Sequence, residues 1–441
     1  MRQEKPTWQT RWKELTDTLD KCNKKLITWD PQKPKLGMMY IKRLFKDVDY
    51  DEVKGYPCIG YFDPHDPVKI AVKINPLETR YDFTNGPGRM ETKIMRELNN
   101  VLIKKYTPHV TMYLHDMDAP NNVSTLTKFP IKRFHKYIYP SSNVLFTEFV
   151  SGGSLESHLK RKDMSMLQWK TLIFGVIWTL HVLQSEYKLM HNDCHFGNIL
   201  VDIYKYNSND VFEYRLGKKD LFVLPCTGIL PKLWDFEFSK CFSRTDLAFN
   251  QFGRTAKRFN AVSDVHYFLT TLLELDNLPS EIRIYIMSLY PSDLIKTDND
   301  EDTMSEYESD SDTKSFVSRA STQVSSFSDK YYVTDEEMDY SDDEGSMISS
   351  RSESTRSGTI RTGTSFTERS MYSDKSHMSY TSEEGPRYLS GGHVTVEGIE
   401  KFSSKMPTPR DILFSSFFKE FIVKKVPSSV NVVDSYVYQT L

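Results

Sequence analysis

The apolar positions of this chain change rhythm several times, and each rhythm predicts an element. Trp8, Trp12, Leu15, Leu19 and Leu26 recur at near-helical spacing among charged residues, which predicts a short amphipathic helix that packs on the next domain. Pro31 and Pro34 end it, because proline removes a backbone donor and restricts the residue before it. From 37 to 74, short apolar runs alternate with Gly, Pro and Asp, the pattern of antiparallel strands joined by turns. The clearest strand covers 68–74, where a period of two sets Ile70, Val72 and Ile74 on one face and Ala71 and Lys73 on the other. Helical spacing returns at 89–98, with Met90, Ile94 and Leu98 in one stripe and Glu91 beside it.

Between 106 and 139 the pattern is broken by Pro108, Pro120 and Pro130, and no element is assigned. A strand is predicted at 144–150, running into Gly152-Gly153, a flexible connection of the kind found where two lobes meet over a cleft. After Ser154 the chain turns helical, and 169–183 is apolar around so much of its circumference that a buried helix is expected. Strand character returns at 199–201 and again at 228–234, and a further apolar helix is expected around 282–289.

Composition adds a globular core and an appended segment of another kind. At 39% hydrophobic and 13% aromatic, the chain can bury a sizeable interior. The net charge of -3 is uneven: 297–345 holds sixteen acidic residues against three basic ones, so the remainder is net positive. A basic body can attract anionic ligands, but on charge alone ordinary surface charge is the preferred reading, and nucleic acid is not indicated. From 297 to about 390, Ser, Thr, Asp, Glu and Arg predominate with few large aliphatics, so burial cannot offset ordering entropy and disorder is expected. Its serines and threonines, as at Thr334 and Ser341 before acids or Ser352 and Ser357 after arginine, suit phosphorylation, with a plain solvated insertion as the alternative.

Cys22, Cys58, Cys194, Cys226 and Cys241 are scattered without a Cys-x-x-Cys pair, which indicates neither disulfide framework nor zinc site. No signal peptide is read at the start and no run approaches the ~20 apolar residues of a membrane span. The expectation is an intracellular, soluble protein.

The candidate chemistry centres on 191–200, His-Asn-Asp-Cys-His-Phe-Gly-Asn-Ile-Leu, and on Asp235 at the end of the later apolar run. Asp193 and Asn198 lie five positions apart. Phosphoryl transfer needs an aspartate to accept a hydroxyl proton and an asparagine and second aspartate to hold Mg²⁺. Lys73 and Glu91, in that order upstream, could form an ion pair that holds an ammonium toward nucleotide phosphates. Against this, a lone strand lysine usually faces solvent; Glu97, the competitor to Glu91 for the role, is read as a surface residue.

With these residues in order, the chain resembles a divergent eukaryotic-type protein kinase over about 37–275, and again at 407–423, which is similar to that family's last helix. His191-Asn192-Asp193 resembles the family's His-Arg-Asp, and Asp235-Phe236-Glu237 stands where it has Asp-Phe-Gly. The resemblance implies an α+β, two-lobed protein kinase-like fold with a small antiparallel-sheet N-lobe, a mainly helical C-lobe and a long disordered insertion. The implied segments are a helical extension at 1–36, an N-lobe at 37–150, a C-lobe at 151–296, the acidic insertion at 297–390, and the C-terminal part at 391–441. It also implies ATP and Mg²⁺ as cofactors and a protein hydroxyl as acceptor. Asp193 is then the base, Asn198 and Asp235 the metal ligands, and Lys73 the phosphate-orienting residue held by Glu91. Thr147 is the gatekeeper, and Glu148 to Val150 offer backbone to the purine. Asp264 resembles the buried aspartate that anchors the catalytic loop, with a helix N-cap by Ser263 or Asp264 as its alternative.

Several positions depart from the family. His195 stands where lysine is usual and is similar to haspin-type kinases and small-molecule phosphotransferases; it either stabilises the transferring phosphoryl or merely hydrogen-bonds the loop. No intact Gly-x-Gly-x-x-Gly precedes Lys73, and Gly55 and Gly60 are the candidates for a reduced loop. Residues 204–227 read as an insertion, and no Ala-Pro-Glu comes after Asp235. The mixture resembles kinase-like proteins of large DNA viruses, which implies host cytoplasm, nucleus or virion as location. A pseudokinase scaffold and a small-molecule phosphotransferase stay open beside the Ser/Thr protein kinase.

Overall fold

Five strands build an antiparallel sheet in the order β1-β2-β3-β5-β4, formed by Tyr40–Arg43, Tyr56–Tyr61, Ile70–Leu77, Ser141–Glu148 and Tyr113–Pro120, the last being β4. The structure, a computed structural model, describes residues 7–24, 40–43, 56–61, 69–77, 86–120, 141–247, 258–291, 389–390, 393–394 and 401–439. All of these fall in one unit, Met1–Tyr332 with Arg387–Leu441. The alternation read in the sequence sets the register: Ile70 and Val72 are buried, Val72 lies between Cys58 and Phe146, and Lys73 opposes Leu145. β4 carries no strand signal in the sequence. Its segment reads Leu-His-Asp-Met-Asp-Ala, poor in strand formers, and it pairs because β5 offers an edge and Asn99 holds Tyr113 at both backbone groups.

Helix α1 spans Trp8–Lys24 and α2 spans Pro87–Ile103. Pro87 opens α2, where its missing N–H is no loss. Met90, Ile94 and Leu98 are buried as the stripe requires, together with Met95, Val101 and Leu102. Gly88 lets α2 lie against β3, since a Cβ there would sit 2.6 Å from the Asn75 Cβ.

Beyond β5 the chain is mainly helical. Ser154 caps α3 (Leu155–Leu159), and Ser165 with Gln168 forms a capping box at the start of α4 (Met166–Tyr187). A left-handed Lys188, with φ 46°, ends α4. α4 is long and apolar enough to cross a membrane, contrary to the expectation that no such run exists. Its apolar surface is taken up inside the protein, with Leu172, Phe174, Ile177 and Trp178 fully enclosed. The short strands β6 (Leu189–Met190) and β11 (Lys240–Cys241) pair antiparallel, as do β7 (Ile199–Ile203) and β10 (Ile229–Leu233). Two further helices are α5 (Ser263–Leu272) and α6 (Ser280–Ser288).

The expected insertion at 204–227 forms a hairpin, β8 (Asp210–Leu216) with β9 (Asp220–Pro225). The C-terminal β14 (Asn431–Tyr438) joins β8 in parallel, and Trp8 of α1 sets its ring edge-on to Tyr204 and Phe212 beneath this sheet. The segment likened to a last kinase helix is helical only as α7 (Pro409–Leu413), then a 3-10 turn at Ser416–Phe421. Tertiary packing displaces the helix there: Phe417 stacks on Tyr285 at 4.0 Å, and Phe418 and Phe421 turn edges to Phe174. The acidic stretch lies outside the described residues except for Leu389–Ser390, which pairs as β12 with β13, His393–Val394.

Candidate functional site

Lys73 does not face solvent. Its ammonium lies 3.0 Å from both Glu91 carboxylate oxygens and 2.8 Å from Asp235 Oδ1, and Asn75 donates to Glu91 Oε2 at 3.2 Å. A β3 residue, an α2 residue and a residue just past β10 thus meet at one nitrogen. Burial opposes the Lys73 charge, but Asp235, Glu91 and Glu237 outweigh it and hold its pKa above the ordinary lysine range. Burial pushes the Glu91 carboxyl up to about 7, against the pull of Lys73. Glu97, the competitor, is instead half-exposed and pairs with Arg244 at 3.0 Å.

The loop after β6 is held by its backbone. Asp264 is buried and its carboxylate accepts from His191 N at 2.7 Å and Asn192 N at 2.9 Å. It is therefore an anchor and not an N-cap, because α5 begins one residue earlier and Val262 occupies the cap position without a side-chain bond. Asn192 adopts φ 61°, a left-handed turn that asparagine tolerates, and donates from Nδ2 to Phe238 O at 2.9 Å. His191 Nε2 donates to Trp234 O at 3.0 Å, and its ring meets Phe236 at 4.8 Å. Asn198 donates from Nδ2 to Asp193 O at 2.9 Å and to Asp193 Oδ2 at 3.1 Å. Only nitrogen can donate, so this bonding fixes the amide and directs Asn198 Oδ1 away from Asp193.

His195 Nδ1 accepts from Gly197 N at 3.1 Å, the loop-bonding role weighed in the sequence. The proton is then on Nε2, which sits 3.9 Å from Asp193 Oδ2. Desolvation lowers its pKa despite Asp193, so the ring is neutral at neutral pH. Buried Cys194, its thiol pushed well up by burial, is an inert core residue.

Asp235 adopts φ 63° at the start of a 3-10 turn, Phe236–Phe238. Trp234 N donates to Asn198 O at 3.2 Å, which continues the β7–β10 pairing and brings Asn198 and Asp235 to the same end of two neighbouring strands. Phe236 is fully buried and its turn packs on α2. Among the described residues no group of three or more His, Cys, Asp and Glu could hold a metal by itself. Asn198 and Asp235 together offer oxygen donors only, the partial set that Mg²⁺ accepts when phosphate and water supply the rest.

No family model matches the sequence. Two curated proteins do. One, from Acanthamoeba polyphaga mimivirus, is named a putative serine/threonine-protein kinase and is 23% identical over 245 residues, 48% of this chain and 52% of that protein. The other, from Dictyostelium discoideum, is named a probable serine/threonine-protein kinase and is 28% identical over 133 residues, 29% of this chain and 11% of that protein. The chain is thus similar, over part of its length, to a viral and an amoebal protein named as serine/threonine-protein kinases. It spans about half the length of the viral kinase and a tenth of the other.

The kinase likeness also singles out residues around the end of β5. Thr147 is buried, with its hydroxyl on Glu148 O at 3.4 Å. Glu148 N donates to Met112 O at 3.0 Å, and its carboxylate accepts from Met112 N and Lys232 Nζ, both at 2.8 Å. Val150 is buried two residues on. Gly60 lies within β2, opposite Ile70 and Ile41, and so in a strand; Gly55 lies outside the described residues. Sequence reading missed Lys232, whose side chain is fully buried, and Arg11, which reaches Glu148 and Asp202. A lysine inside the apolar run Ile-Leu-Pro-Lys-Leu was a legible sign of a buried cation. Arg11, on the polar side of an amphipathic helix, carried no such sign.

Proposed function

We propose that the chain is an ATP- and Mg²⁺-dependent Ser/Thr protein kinase of two lobes, the five-stranded sheet with α2 forming one and the helical part the other. The observation that carries this reading is the meeting of Lys73 with Glu91 and Asp235 beside a loop whose Asp193 and Asn198 are bonded to each other. Lys73 would turn its ammonium to the nucleotide phosphates, with Glu91 fixing its position. Asp193, tethered by Asn198, would take the proton from the acceptor hydroxyl. Asn198 Oδ1 and Asp235 would hold Mg²⁺, which when bound neutralises phosphate charge. The backbone at Glu148 and Val150 would meet the purine.

His195 is neutral and bonded to the loop, so it would orient Asp193 through the loop more than counter phosphate charge. The test is transfer of labelled phosphate from ATP to protein by the wild type and by Asp193→Asn. Transfer confined to the wild type supports the reading. Mg·ATP binding without transfer makes the chain a pseudokinase, and transfer to small hydroxyl compounds alone makes it a small-molecule phosphotransferase.

A further inference from the structure

The connection leaving β5 is gripped from behind by an arginine 138 positions earlier in the chain. Arg11 Nη2 donates to Phe149 O at 2.6 Å and lies 3.5 Å from Glu148 Oε2, while its Nε donates to Asp202 Oδ2 at 3.3 Å. Asp202 is buried at the end of β7 and also accepts from Ser151 Oγ at 3.3 Å, and Ser151 Oγ accepts from Ile203 N at 3.2 Å. Glu148 Oε2 is buried with no hydrogen-bond donor of its own, so the guanidinium supplies its second compensating charge beside Lys232. One planar side chain thus joins residues 148, 149 and 202, which no lysine could do, since an ammonium lacks the fork of fixed donors.

The Phe149 carbonyl and the Val150 N–H belong to a single peptide plane. In a trans peptide they point in opposite directions, and rotation about the C–N bond is barred. Holding the carbonyl against Arg11 therefore aims the Val150 N–H away from α1. α1 itself is seated by Trp8, one turn before Arg11: Trp8 is buried and its Nε1 donates to Asp434 Oδ2 on β14 at 3.1 Å. Gln9 adds a bond from Nε2 to Val433 O at 3.3 Å.

We infer that Arg11 is a positioning residue for nucleotide binding, presetting the Val150 N–H as the purine's donor from a helix docked on the C-terminal strand. This rests on the kinase reading above. It makes α1 part of the nucleotide site without touching the nucleotide.

The test compares full-length wild type, Arg11→Lys, Arg11→Met and, as a control for lost stability, Ser165→Ala at the distant α4 cap. Mg·ATP affinity, the KM for ATP, kcat and amide hydrogen exchange across 148–152 are read for each. Arg11→Lys keeps the charge and so keeps α1 in place if Arg11→Met does not fold. Arg11→Lys is expected to weaken Mg·ATP binding about tenfold and raise KM alike, with kcat within twofold and faster exchange at 150, while Ser165→Ala leaves KM unchanged. Unchanged affinity in Arg11→Lys, or an equal rise in KM in Ser165→Ala, overturns the positioning role while leaving the kinase reading intact. No Mg·ATP binding by the wild type overturns both.

Discussion

Lys73 is held by other charges, whereas Asp193 is held by the backbone. Around Lys73, two carboxylates and an amide converge from three elements, so its placement depends on which of them are ionised. Around Asp193, the loop is fixed by Asp264 accepting two backbone N–H groups, by His191 on Trp234 O and by Asn198 on Asp193 O. A buried ion cluster is strong only while every member is present. Because the backbone carries most of the holding, the Asp193 carboxylate takes only the one bond from Asn198 Nδ2 described above and stays half-exposed.

The sharpest way to break this contrast is Asp264→Ala, which leaves the buried His191 N–H and the partly buried Asn192 N–H without an acceptor. A loss of about 3–5 kcal/mol is expected in denaturant unfolding. A loss below about 1 kcal/mol would mean that the loop does not depend on this tether.

Lys73→Met tests the charged half and should cost about 3 kcal/mol at pH 8, because it strands Glu91. The loss should shrink at pH 5. Glu91 already has a raised pKa of about 7, above its unfolded value, and removing Lys73 raises it further. A group so shifted stabilises the fold when protonated at low pH and loses that contribution as pH rises through its folded pKa. Adding Glu91→Gln should recover much of the loss at pH 8. Equal losses at both pH values would place the pair's strength in packing.

Away from the site, burial lowers His109 to about 3 and His181 and His266 to about 4. Each is neutral in the fold and takes a proton more readily when unfolded, so stability is present above about pH 6.5 and is lost as pH falls toward 4. His109→Gln should flatten the acid slope by about 1.4 kcal/mol per pH unit, read from unfolding midpoints between pH 6 and 4. An unchanged slope would mean that His109 is protonated in the fold. The smallest effect is expected for Ser165→Ala, about 1 kcal/mol from the lost α4 cap, in thermal or denaturant unfolding.

Much of the candidate site was legible because its residues sit at fixed intervals on regular elements. The period of two around Lys73 and the stripe beside Glu91 both place their side chains correctly, and Asn198 precedes a strand that the apolar run announces. The burial of Lys73 was not legible from the strand alone, since solvent is the usual fate of a strand lysine; it comes from Glu91 on α2 and Asp235 after β10. β4 escaped notice because its pairing is supplied by β5 and Asn99 more than by its own side chains. Arg11 escaped because its partners lie 138 and 191 positions away, where only the folded chain brings them together. The parallel pairing of β14 with β8, which seats α1, is likewise a contact between distant ends that no local pattern records.

The central claim is that Asp193 lies in a site that transfers phosphate to protein hydroxyls, and mapping phosphorylated residues after incubation with labelled Mg·ATP tests it most directly. The wild type should place label on protein serines or threonines, and Asp193→Asn should do so about 10³-fold more slowly. Label on protein at equal rates with both, or on none with either, would contradict it.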